Sequence, residues 1–231
     1  MSIVKKSFLA GIRDASPILL GLAPFGFICG AYCVSTGMPH WAAINFSLMI
    51  YAGASQLVAN QLMAEGASTV VVIMTGLIIN LRLFMYSASL APHVKDVHPV
   101  RKGILAYFLA DQAYAVSIAR FNQPDADTIS KPMYFMGTAL FLWTCFFSSS
   151  VCGVYLGALI PPEWDLGFAI PLTFTAVAIP AIKDRPAGIA AVSAAVVAVG
   201  ANQLPYNLGL IVGAVTGIVV GYLAERRMHR G

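Results

Sequence analysis

Charge is scarce in this chain. Only 10% of its 231 residues are Asp, Glu, Lys or Arg, against ~25% in an ordinary soluble domain, while 58% are hydrophobic. From Ala15 to Ala64 there is no charged residue at all. A helix needs ~20 mostly apolar residues to cross a bilayer, so that stretch alone can supply two. This excludes a soluble domain of useful size. Short segments of alternating polarity are missing, which excludes a membrane β-barrel. Enzyme signatures are missing as well: there is no His-Glu-x-x-His, no Gly-x-Ser-x-Gly and no phosphate loop. His40, His93, His98 and His229 lie outside the apolar segments, so the chain reads as a non-enzyme. Cys29, Cys33, Cys145 and Cys152 lie inside apolar segments with no histidine at ligand spacing. They read as small buried hydrophobes, and no metal or cofactor is expected. No small-residue cleavage site follows Lys5, Lys6 and Arg13, so they head a retained segment rather than a signal peptide.

What is present is a series of eight apolar segments, at 17–36, 41–63, 67–92, 104–120, 133–160, 166–182, 187–202 and 206–224. Proline, glycine and charge mark the breaks, notably at Pro39, Glu65–Gly66, Pro99, Pro124, Pro161–Pro162 and Pro205. The expected fold is an all-α membrane protein, a polytopic helical bundle forming one domain over 1–231. Basic residues orient such chains, with Lys and Arg kept on the cytoplasmic side. Eight spans with both termini in the cytoplasm leave only Lys95, Arg101 and Lys102 outside. A re-entrant or broken segment near Asn80–Arg82 would relieve that misfit and leave seven spans. The net charge of +4 follows this loop pattern and does not point to nucleic acid.

Two patterns concern packing. Gly30-Ala31-Tyr32 recurs as Gly153-Val154-Tyr155, Trp41 as Trp164, Phe46 as Phe168 and Asn80 as Asn202. Such an echo, at a shift of about 122 residues, is how internally repeated transporters read. Gly209, Gly213, Gly217 and Gly221 form one smooth strip on a helix, suited to close approach of a neighbouring helix, within the chain or in a second subunit.

The residues that carry chemistry are few. Arg82 is the one charge between Gly66 and Val94. A charge at membrane depth costs at least ~2.5–3.5 kcal/mol on insertion scales, so it implies a partner, a cavity or a task. Asp111 is the one acid of the fourth segment, and an ion pair with Arg82 is expected. The pair is either architectural, or it opens to take a carboxylate on Arg82 and a proton on Asp111. Tyr107 and Tyr114 fall on the face of Asp111 at helical spacing. Asn45, Ala52, Gln56 and Asn60 make a polar stripe on the second segment, where Ala52-Gly53-Ala54-Ser55 leaves room for a ligand. Pro24-Phe25-Gly26 stands in the middle of the first segment. Proline removes a donor and clashes with the preceding turn, so a broken or kinked first helix is expected, whose freed amides would favour an anion. Pro171 and Pro180 pose the same question in the sixth segment. Phe25, Met49 and Met85 are candidates for an apolar pocket.

Four of these elements in order resemble the AzlC family of bacterial membrane proteins, the large subunits of branched-chain amino acid exporters: Pro24-Phe25-Gly26 with Gly30; Ala52-Gly53-Ala54-Ser55-Gln56; Asn80-Leu81-Arg82; and Asp111-Gln112-Ala113-Tyr114-Ala115-Val116. The resemblance implies export of valine, leucine, isoleucine and methionine across the cytoplasmic membrane, and a small separate membrane subunit of the AzlD type. Gln112 stands where the family often has a second acid, and Leu83 where it often has His. The site expected on both grounds has Pro24, Phe25, Gly26, Gln56, Asn80 and Arg82 at the substrate and Asp111 as the proton-coupling group. A channel for another small solute, or a non-transporting scaffold subunit, are the alternatives the residues alone leave open.

Overall fold

The computed structural model describes residues 2–157, 182, 184–201 and 208–228. The described residues form helices joined by short turns, with no strand among them. They form α1 (Ile3–Ala15), α2 (Leu19–Ser35), α3 (His40–Met49), α4 (Gly53–Ala64), α5 (Thr69–Leu90), α6 (Pro99–Tyr107), α7 (Asp111–Phe121), α8 (Lys131–Leu156), α9 (Arg185–Gly200) and α10 (Leu208–Met228). The chain parts into two compact units, Met1–Gly167 and Phe168–Gly231. Among the described residues, the runs Ile3–Ser35, Thr69–Val94 and Lys131–Leu156 are long and apolar enough to cross a membrane.

The first unit is organised on α8, along which α1 and α2 run in the same direction. Glycines set the separation. A Cβ on Gly30 would fall 2.0 Å from the Ser150 carbonyl, and one on Gly153 2.0 Å from the Phe27 carbonyl. Gly137 meets the Phe8 carbonyl and Gly11 the Tyr134 carbonyl in the same way. Helices in lipid gain nothing from hydrophobic exclusion, so backbone-to-backbone packing of this kind is what holds them. Polar contacts add to it: Tyr134 donates to Asp14 at 2.7 Å, Thr138 to the Gly11 carbonyl at 3.1 Å, and the Ser130 amide to Ser7 Oγ at 2.9 Å. The Gly-x-Tyr elements at 30–32 and 153–155, paired by the sequence echo, thus sit on helices that grip each other reciprocally.

α2 runs as α-helix through Pro24. The chain tightens instead into a 3₁₀ turn at Ser16–Ile18, with Pro17 at its first positions. Proline is tolerated there because its missing N–H would have had no partner. The bond Pro24 cannot make would go to Leu20, in the first turn of α2, so little of the helical ladder is lost.

The real breaks lie elsewhere. α3 starts beside the end of α8, where His40 stacks on Tyr155 at 5.8 Å, and descends antiparallel to α8 until Ser47 meets Ser150 at 2.7 Å. The helix then stops: Ile50 (φ −108°, ψ 83°) and Ala52 (φ −153°, ψ 85°) are non-helical. α4 turns back, and Asn60 donates to Thr36 at 2.9 Å, at the end of α2 where α3 began. α6 and α7 repeat the manoeuvre from the other side. α6 rises beside α8 to Phe108, whose ring meets Trp143, midway along α8, at 5.6 Å. After Ala110 (φ −140°, ψ 164°) α7 returns, and Phe121 lies 5.9 Å from Tyr134 near the start of α8. Segments 41–63 and 104–120 are therefore two re-entrant hairpins entering from opposite faces, not single spans. Segment 166–182, apart from Ile182, lies outside the described residues, with Pro171, Pro180, Trp164, Phe168, Asn202 and Pro205.

This layout removes the charge misfit. α5 descends antiparallel to α4, so the 95–102 loop shares a face with the start of α1 and the 122–130 loop. Lys5, Lys6, Lys95, Arg101, Lys102, Arg120 and Lys131 then all belong to one side. No Lys or Arg occurs between Arg13 and Arg82, so among the described residues the opposite face of this unit has none. The correction comes from the hairpins, not from a break near Asn80–Arg82, where α5 is continuous.

In the second unit α9 and α10 pack antiparallel. Gly209, Gly213, Gly217 and Gly221 meet Ala201, Ala198, Ala194 and Ala190 in turn. The glycine strip serves packing within the chain.

Two outcomes are expected. In a background without native cysteines, cysteines placed at Lys95 and Lys102 should react with a membrane-impermeant thiol reagent from the same side as one at Lys5; labelling from opposite sides would contradict the hairpins. Gly30→Leu and Gly153→Leu should each lower the melting temperature in detergent, as overpacking costs ~1–3 kcal/mol or more. Gly21→Leu, whose Cβ meets nothing within 4 Å, should leave it unchanged.

Candidate functional site

The two hairpin tips touch. Tyr107, the last residue of α6, donates its hydroxyl to the carbonyl of Leu48, near the end of α3, at 2.6 Å. Both tips flank the middle of α8, Tyr51 against Phe146 at 5.7 Å and Phe108 against Trp143. α4 and α7 therefore both begin at mid-depth, and neither has a side-chain cap on its N-terminus. A helix N-terminus carries about half a positive charge and unpaired N–H groups. The ends of α3 and α6 bring carbonyls of the opposite polarity to the same depth.

Local sequence explains where the breaks fall. Gly53 leads α4 because the Phe25 ring occupies the place of a Cβ, 2.3 Å away. Asp111 leads α7 because a carboxylate is favoured in a first helical turn.

Arg82 crosses this region from the middle of α5. Its Nη1 lies 3.0 Å from Asp111 Oδ2, with the two side chains 31% and 36% exposed. The expected ion pair is present. Asp111, however, starts a half-helix instead of sitting within a span, so Tyr107 lies across the break and Tyr114 alone shares its helix. Tyr114 stacks on Tyr86 at 4.3 Å and donates to Ser89 at 3.0 Å. Asn80, two residues before Arg82, donates to Ser55 Oγ at 3.1 Å, tying α5 to the first turn of α4.

Gln56 is fully buried, and its amide donates to Ser47 at 2.7 Å and contacts Cys33 Sγ at 3.7 Å. Through Ser47 and Ser150 it joins α4 to α3 and α8. The second-segment stripe is divided by the break: Asn45 bonds the Trp41 carbonyl on α3, and Asn60 bonds Thr36. Pro24 and Gly26 remain within α2, with Gly26 on the Phe146 carbonyl, while Phe25 alone of that element reaches a hairpin tip. Met49 and Met85 are 79% and 67% exposed.

Five buried polar atoms of this region have no hydrogen-bond partner among the described residues: Arg82 Nε, Asp111 Oδ1, Asn80 Oδ1, Gln56 Oε1 and Trp143 Nε1. Two are donors and three acceptors. Buried polar atoms are normally paired, so these are the atoms of the region that a polar ligand could meet. Sequence reading named Ser55 only as one of a run of small residues, and did not reach Trp143 or Tyr86, since an aromatic in an apolar run reads as packing. Among the described residues no three His, Cys, Asp or Glu side chains gather to hold a metal.

Comparison with known proteins agrees with the arrangement of motifs. Residues 17–160 match the family described as AzlC protein. The chain belongs to the AzlC family. It is 24% identical to the Escherichia coli (strain K12) inner membrane protein YgaZ over 226 residues, covering 94% of this chain and 91% of that one. It is 27% identical to an uncharacterized membrane protein of Archaeoglobus fulgidus over 215 residues, 91% and 92% of the two chains. A Helicobacter pylori (strain 26695) membrane protein is 35% identical over 113 residues, 47% and 49% of the two. No solved structure matches. An AzlC-family membrane protein is a transporter-like protein, and both hairpin tips lie within the matched residues.

The ion pair can be weighed by a double-mutant cycle. Arg82→Met and Asp111→Leu should each destabilise the protein in detergent. The double variant should recover part of the loss, with a coupling above the ~0–1 kcal/mol of exposed pairs. Thermal unfolding of the four proteins measures it, and additive losses would mean the two charges do not depend on each other.

Proposed function

We propose that this protein exports branched-chain and related hydrophobic amino acids, valine, leucine, isoleucine and methionine, across the bacterial cytoplasmic membrane. The observation that carries the reading is the meeting of two half-helix N-termini at mid-depth beside Arg82. Discontinuous helices whose positive ends point at an anionic group at the bilayer midplane are the way secondary transporters hold a carboxylate. A zwitterion supplies what the unpaired atoms lack. Its carboxylate meets Arg82, Trp143 Nε1 and the amides that begin α4. Its ammonium meets Asn80 Oδ1, Asp111 and the carbonyls that end α3 and α6.

Asp111 is the coupling group. Ionised, it holds the substrate ammonium while Arg82 holds the carboxylate on the way out; once the substrate has left, Asp111 takes a proton from outside and releases it inside, and the pair closes again, so that proton entry drives amino acid exit. The proton gradient is the energy source. The basic face, with the start of α1 and the 95–102 loop, is cytoplasmic by the positive-inside rule, and both termini lie there. A small membrane subunit of the AzlD type completes the exporter. The chain is a carrier and not an enzyme.

Cells loaded with branched-chain dipeptides should release valine, leucine, isoleucine and methionine faster when this chain and its small subunit are expressed together. Arg82→Leu should cut that release at least ~10-fold, the loss of one charge-assisted contact. Asp111→Asn should retain exchange between equal amino acid pools yet lose export driven by a pH gradient. Full gradient-driven export by Asp111→Asn would end the coupling assignment.

A further inference from the structure

A cavity of about 340 Å³ lies between the second half of α5, the α6–α7 hairpin and the first turn of α8. Its walls include Leu90, Leu105, Leu109, Phe121 and Phe135, with Lys102 as the charged residue on its rim. Small-molecule sites are ~300–1,000 Å³, mostly apolar, with a few placed polar groups, and this cavity has that size and character.

Its position ties it to the ion pair. Leu109 belongs to the break that ends at Asp111, and Ser87 and Leu90 follow Arg82 along α5 by about one and a half to two turns. The Tyr114–Ser89 hydrogen bond and the Tyr86–Tyr114 stack stand on the same stretch of α5, between pair and cavity. Lys102 and Val94 bound the cavity at its basic end.

We infer that this cavity is the loading vestibule of the carrier, where the apolar side chain of the substrate is held before its carboxylate reaches Arg82. The inference rests on the export reading above and adds where side-chain size is sensed. Leu105, Leu109, Phe121 and Phe135 bound the side chain, and Lys102, whose ammonium already donates to the Lys95 carbonyl at 2.8 Å, draws the carboxylate to the mouth. A longer side chain covers more of this apolar wall, and narrowing the cavity excludes the longer side chains first.

Gly103 tests this without disturbing the fold, because a Cβ there meets nothing within 4 Å. Gly103→Leu should lower efflux of leucine and methionine by about tenfold relative to alanine, the discrimination typical of a methylene or two in an apolar pocket. Leu109→Ala should shift efflux toward phenylalanine, with size-exclusion profiles confirming that both variants fold. Efflux by the wild type with the same size preference in both variants overturns the vestibule alone. So does loss of co-purifying phospholipid from Gly103→Leu with no change in size preference, which makes the cavity an acyl-chain site. No amino acid efflux from the wild type in the same assay overturns the export reading and the vestibule together.

Discussion

A helix that stops inside a bilayer leaves backbone amides and carbonyls without partners, and lipid offers none. Such breaks survive only where protein, water or ligand receives them. Among the described residues there are two, at Ile50–Ala52 and Phe108–Ala110, and much of the first unit is arranged to shelter them. α8 stands behind both with Trp143 and Phe146, α2 covers one with the Phe25 ring, and α5 brings Arg82 and Asn80 across the front. Tyr107 donates to the Leu48 carbonyl and so satisfies one tip with the other.

The glycine seam between α1–α2 and α8 follows from the same need. Side chains alone would hold these helices too far apart for one wall to reach both tips. With Gly11, Gly30, Gly137 and Gly153 at the contacts, backbones meet directly, and the rigid pair becomes the floor on which the hairpins rest. The buried chain Gln56–Ser47–Ser150 pins the first hairpin to that floor by hydrogen bonds, and the Phe108 ring on Trp143 anchors the second by packing. Gln56 thus holds the site in place from behind, while Asn80 and Ser55 hold it from the front.

Polarity is matched at the tips. Helix starts and Arg82 supply positive potential, helix ends and Asp111 supply negative, and both gather within the tip region at mid-depth. A symmetric zwitterionic environment of this kind costs little when empty, since Arg82 and Asp111 neutralise each other. Family membership and mid-membrane geometry point the same way, and the matched residues include both tips.

Much of this was legible along the chain. Composition dictated a helical membrane protein, because few charges and long apolar runs have no other stable form in lipid. The solitary Arg82 and Asp111 announced a pair, because neither charge is tolerable alone at depth. The close α9–α10 packing was legible in Gly209, Gly213, Gly217 and Gly221. The hairpins were not, for a re-entrant pair of half-helices and a single span can have the same length and hydropathy. Pro24 drew attention to α2, where the helix carries on, while no proline marks either true break. Only the tertiary structure decided that Phe25 displaces any side chain at Gly53, that Asp111 begins a helix, and that Trp143 faces the tips. Those are facts of contact between segments distant in sequence, and hydropathy, which sums each segment alone, does not record them.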